Sequence, residues 1–131
     1  MILAAILAIA AANAPVPSNT PADICMRAAA VVAHASVKES DRQGCVCADQ
    51  QLHKLLRGGD YALHEDMQAI IASGADEKSF NKQLSDAMLQ RRMNQADADQ
   101  FFARLKAAEA TAQQACNTSP LLGRPLSPQP Q

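Results

Sequence analysis

The pattern of apolar and polar positions changes character twice along the chain. Residues Met1 to Ala14 read MILAAILAIAAANA, an apolar run that closes on small residues. From Thr20 to Asn117 apolar residues recur at intervals of three and four, the period of helices that bury one face. After Asn117 the period is lost. The tail TSPLLGRPLSPQPQ carries four prolines and a single charged residue, Arg124, and a segment of that kind cannot bury enough apolar surface to order itself.

Five helices are expected between those ends. Thr20 as N-cap, Pro21 at the first helical position and Asp23 three residues after the cap open the first, which should run to about Ser36. Its stripe is Ile24, Ala28, Val31 and Ala35, with Cys25 and Val32 beside it. The charged stretch Lys38 to Gly44 breaks the pattern and reads as a surface loop. The second helix is expected from near Cys47 to just before Gly58 and Gly59, with Ala48, Leu52, Leu55 and Leu56 inward. Asp60 should cap the third, which carries Leu63, Met67, Ile70 and Ile71 and stops at Gly74. The fourth, near Asp76 to Met93, turns Phe80, Leu84, Ala87 and Met88 inward. Asn94 and Asp97 open the fifth, whose Phe101, Phe102, Leu105, Ala108 and Ala112 lead to Cys116.

The fold class read from this pattern is all-α, a small antiparallel bundle of about five helices joined by short turns. Leu55 beside Leu56, and Phe101 beside Phe102, put apolar side chains on more than one helix face. Burial on two sides is the expected reason, ahead of a partner site. Helix starts recur at roughly even intervals without matching residues between them, so no internal repeat is read.

Composition supports helices, since alanine is abundant and aromatic residues make up 3% of the chain. Twelve basic and thirteen acidic side chains give a net charge of −1 and are mixed in sign along the chain. There is no basic face for a phosphate backbone, so nucleic acid is not expected as a partner.

The apolar start has the form of a secretory signal, with cleavage expected near residues 12–14. It departs from the common pattern in having no Lys or Arg ahead of the apolar run. Pro15 would also lie just beyond a cut after Ala14, where its missing N–H suits a protease poorly. The run is too short to span a bilayer, so no stable membrane span is expected after cleavage. The expected organisation is a signal peptide over 1–14, a linker over 15–19, a helical domain over 20–117 and a disordered tail over 118–131. A periplasmic or extracellular location follows.

That compartment decides how Cys25, Cys45, Cys47 and Cys116 are read. Four cysteines in an oxidising environment imply two disulfides. Bonding Cys45 to Cys47 would close a very small strained ring, so Cys25 and Cys116 should each take one member of the CxC pair. Either of those two pairings remains open.

Other chemistry is weaker. The CxC pair could serve thiol–disulfide exchange if one thiolate were exposed and of lowered pKa. His34, His53 and His64, with the thioethers of Met26, Met67, Met88 and Met93, could suit Cu(I) or Zn(II) if several converged. No two of the histidines are four apart on one helix, however, and all three read as solvated surface residues. The acidic pairs Glu65 with Asp66, Asp76 with Glu77, and Asp97 with Asp99 read as helix-start charges answering the macrodipole. No hydrolase, zinc-protease or phosphate-loop motif occurs, so no catalytic, cofactor-binding or metal-ligating residue is assigned.

The function expected is that of an exported, non-enzymatic helical protein. It would act by contact with an unidentified envelope protein, as an inhibitor, immunity factor, chaperone or accessory. The alternatives are a soft-metal (Cu/Zn) binding protein or, less favoured, a thiol–disulfide redox protein using the CxC pair.

Overall fold

A computed structural model describes residues 20–116 of the 131-residue chain. The signal peptide, linker and tail expected at the two ends lie outside the described residues. Within them the chain forms α1 (Pro21–Ala33), a 3-10 turn (Glu39–Asp41), α2 (Arg42–Leu55), α3 (Gly59–Ala72), α4 (Glu77–Gln90) and α5 (Gln95–Cys116). The fold is a small all-α bundle, as the helical period requires.

Local chemistry sets the boundaries. Thr20 caps α1 by accepting from the Asp23 N–H. The helix ends earlier than Ser36, because His34 turns left-handed with φ 51° and donates its N–H back to Ala30 and Val31. Asp76 caps α4 through the Ser79 N–H, at 2.7 Å. Asn94 and Asp97 exchange side-chain to backbone bonds of 2.8 and 2.9 Å at the start of α5, a reciprocal capping box. Gly58 and Gly74 adopt φ +52° and +79° at the turns on either side of α3, where a side chain would add strain.

Two expected boundaries are corrected. The segment from Lys38 to Gly44 is not a loop, since its charges build the entry to a helix. Asp41 accepts from the Lys38 N–H at 3.0 Å. Arg42 pairs with Glu39 at 2.5 Å and with Asp23 of α1 at 2.7 Å. Nor is Asp60 the cap of α3. Gly58 takes that position, and Asp60 in the first turn accepts two bonds from Arg104 of α5, at 2.6 and 3.0 Å.

The earlier start of α2 places both members of the CxC pair inside one helix. Residues two apart on a helix point about 200° apart, so Cys45 and Cys47 face opposite ways. Cys45 bonds Cys25 of α1, and Cys47 bonds Cys116 at the end of α5. Sequence separations of 20 and 69 residues close two loops that share no residue.

The apolar core gathers around α5. Ala98, Phe101, Leu105, Ala108 and Ala112 are buried at steps of three and four. Leu52 of α2 and Leu56 at its C-terminal cap, Leu63 and Met67 of α3, and Leu84 of α4 pack with this stripe, flanked by Tyr61, Phe80, Ala87, Met88 and Met93. α1 adds only Ala28 and Ala29 as buried apolar residues besides its disulfide, and neither belongs to that cluster. Backbones run closest between α1 and α3 and between α2 and α5. Short turns therefore do not make every consecutive pair of helices neighbours.

The paired apolar positions divide instead of burying on both sides. Leu56 and Phe101 are 2% and 0% exposed, whereas Leu55 and Phe102 are 42% and 39% exposed.

Replacing Cys47 and Cys116 together by Ala should cost about 4 kcal/mol in denaturant unfolding, and replacing Cys25 and Cys45 about 3 kcal/mol, from the loop lengths. Because the loops are separate, the two losses should add closely. Phe101→Ala should lose about 3–5 kcal/mol, while Phe102→Ala should lose under about 1 kcal/mol; equal losses would contradict the packing.

Candidate functional site

A cavity of about 40 Å3 lies where α1, α2, α3 and α5 meet. The face of α2 formed by Cys45, Ala48, Asp49 and Leu52 supplies one wall, at helical steps of three, one and three. His64, Glu65 and Gln68 of α3 supply the facing wall. Pro21 and Cys25 of α1 close one side, and Glu109 of α5 lies at the solvent edge. A space of this size takes a small group or a little water.

Its lining is unusually polar for a helical interface. His64 is 5% exposed, and its Nδ1 is buried without a hydrogen-bond partner. The expectation of a solvated surface histidine is therefore corrected. The helical phase of α3 explains it, because His64 lies one step from Leu63 and three from Met67, both core residues. Burial lowers its pKa, so the ring is held neutral.

Glu65 stands next to it. Glu65 and Asp66 sit in the middle of α3 and not at its start, so the macrodipole does not account for them. Asp66 pairs with Arg91 of α4 at 2.6 Å. Glu65 faces Asp49 across the gap between α3 and α2, close enough for the two carboxyl groups to hydrogen bond. Burial first, and then repulsion from Asp49, raise the Glu65 carboxyl from 4.5 to about 7. The Tyr61 hydroxyl donates to Asp49 Oδ1 at 2.6 Å. Desolvation and that bond hold the tyrosine proton well above its ordinary range. Desolvation raises the Glu109 carboxyl too.

Chemically, the arrangement sets the raised Glu65 carboxyl against Asp49 and beside a neutral imidazole. Among the described residues, Asp49, Glu65 and Glu109 have no salt-bridge partner. The cavity is accordingly electronegative, and it gains by taking up protons or a cation.

The residues weighed from sequence are otherwise dispersed. His34 is exposed at the end of α1, and His53 is exposed with its ring 4.5 Å from Tyr61. Met67 is buried in the core, Met88 and Met93 pack against it, and Met26 is half-buried on α1. Among the described residues no three or more His, Cys, Asp or Glu side chains are grouped to hold a metal ion. All four cysteines are bonded, and Cys45 is fully buried. Sequence reasoning missed Asp49, Glu65, Glu109 and His64 as a group. The one signal that could have flagged them is polar residues at core-facing positions of α2 and α3, Asp49 three residues before Leu52 and His64 beside Leu63.

The two titrating groups act on stability in opposite directions. Glu65 binds its proton more tightly in the folded state, so its contribution is fully present below about pH 4.5 and is lost as pH rises through about 7. His64 prefers neutrality when folded, so its contribution is present above about 6.5 and is lost as pH falls below that value. Glu65→Gln should therefore gain stability relative to the parent chain as pH is raised from about 4.5 to about 7, measured by urea unfolding across that range. A constant difference would show that Glu65 is not perturbed.

No protein-family model, no curated protein and no solved structure matches this chain.

Proposed function

We propose that this is an exported, periplasmic or extracellular, non-enzymatic protein that works by contact with another envelope protein, as an inhibitor, immunity factor, chaperone or accessory. The observation that carries the reading is the set of large apolar side chains left at the surface of a disulfide-bonded bundle. Val46, Leu55 and Phe102 are exposed at 39%, 42% and 39%, and Leu89 is 69% exposed. Two disulfides support an oxidising compartment. No helix among the described residues is long and apolar enough to cross a membrane.

A scaffold of this kind presents apolar side chains at little entropic cost, because the helices bearing them are already fixed. Val46, Leu55, Leu89 and Phe102, outside the buried core on α2, α4 and α5, are free to serve recognition. The polar residues around them keep the free protein in solution.

Crosslinking in the native envelope should retain one specific partner. Phe102→Asp and Leu55→Asp should each abolish that retention while costing no more than about 1–2 kcal/mol of unfolding free energy, well short of the loss expected for Phe101→Ala. Retention unaffected by both substitutions would overturn the reading.

A further inference from the structure

We infer that the disulfide between Cys47 and Cys116 is a thiol-reducible latch. It holds the C-terminal half of α5 against α2, and its reduction frees that half while the rest of the bundle stays folded.

α5 is held unevenly along its length. In its first half Phe101 and Leu105 are buried in the main cluster at 0% and 6% exposure. Arg104 gives two hydrogen bonds to Asp60 of α3, and Asn94 with Asp97 caps the helix start. Past Leu105 the character changes. Ala108 and Ala112 are the buried residues there, and each removes little more than a methyl group from water. Thr111 donates within its own helix, to the Ala107 carbonyl at 3.1 Å. Among the described residues no side-chain hydrogen bond or ion pair joins this segment to another helix. Nor does the last turn hold a basic residue to answer the helix dipole. What remains is the bond from Cys116 to Cys47. It fastens a segment of about three turns that the alanines alone hold weakly.

The two disulfides also differ in what a reductant meets. Cys47 and Cys116 are both half-buried. Cys45 is 0% exposed, so a nucleophile that reaches its partner Cys25 must expel a thiolate into an enclosed site. Burial among apolar groups raises a thiol's pKa and makes it a slow leaving group. The reductant is an external dithiol. Its first thiolate attacks one sulfur of the bond between Cys47 and Cys116 and expels the other as a thiolate, which takes up a proton. Its second thiolate then displaces the protein cysteine from the mixed disulfide, and the reagent leaves as its own disulfide. Two electrons and two protons pass to Cys47 and Cys116.

Release uncovers the α2 surface beneath the segment. Ala108 and Ala112 share a cluster with Leu52, and Glu109 edges the cavity whose wall carries Ala48 and Leu52. The protein is thus a closed bundle in an oxidising compartment, and it gains a free helical arm and a bared strip of α2 where dithiols act on it.

The test treats the full oxidised chain with increasing dithiothreitol, traps free thiols with iodoacetamide and maps the peptides by mass. Cys47 and Cys116 should be alkylated together, about tenfold faster than Cys25 and Cys45. In the chain so trapped, amide exchange from Glu109 to Cys116 should gain about tenfold on exchange in the Phe101 turn and in α2 and α3, which keep their protection. A bond that only adds global stability would lower protection in all of these alike. The chain carrying Cys47→Ala with Cys116→Ala bears no alkyl groups; it should show the same pattern, and it decides the outcome if those groups disturb the trapped protein. The proposal is overturned if both bonds are reduced together or that of Cys25 and Cys45 goes first. It is equally overturned if exchange from Glu109 to Cys116 does not move relative to the rest, or if protection collapses along the whole of the double alanine chain.

Discussion

The divergence of two cysteines on one helix is the constraint on which this structure turns. Cys45 and Cys47 lie two residues apart in α2 and so point to opposite sides of it. One draws α1 against α2, and the other fastens the far end of α5. Had α2 begun at Cys47, Cys45 would have sat in irregular backbone and its direction would have been free. The charged entry at Glu39 to Arg42 prevents this by starting the helix early. The charges and the cysteines are parts of one device.

The two fastened helices are held by different physics. α5 carries an apolar stripe several turns long and packs with Leu52, Leu56 and Leu63, so burial alone would keep it near α2. Its disulfide reinforces a contact that hydrophobic free energy already favours. α1 has no such reserve, with two buried alanines outside the main cluster. Its disulfide to Cys45, the Asp23 to Arg42 pair and close backbone packing on α3 hold it in place. Small side chains at that seam fill it incompletely, and the space left beside Pro21 and Cys25 is the cavity.

The cavity's chemistry follows from its position. A gap closed by a weakly apolar helix tolerates polar walls, and Asp49, Glu65 and His64 occupy them at a cost that a core site would not permit. That cost shows as a raised carboxyl and a neutral imidazole on adjacent residues of α3. Packing, disulfide placement and electrostatics therefore meet at one place. The exposed Leu55, Leu89 and Phe102 belong to the opposite circumstance, since they stand on helices whose core faces are already satisfied.

Much of the fold is legible in the sequence because it is encoded locally. The helical periods, the caps at Thr20, Asp76 and Asn94, and the turn glycines at Gly58 and Gly74 depend on residues within one turn of each other. Strain in a Cys45 to Cys47 ring likewise limits the disulfides to two pairings on covalent geometry alone. What the sequence could not decide is relational. The choice between those pairings depends on the phase of α2, which shifts with the few residues that start it. Whether Leu55 or Leu56 is buried, and whether His64 is solvated, depends on which helix lies opposite. Asp49 and Glu65 belong to separate helices and carry no mutual spacing that a linear reading can detect. Only the crossing of α2, α3 and α1 sets their carboxyl groups face to face, because Coulomb repulsion and desolvation depend on distance in space and not on position along the chain.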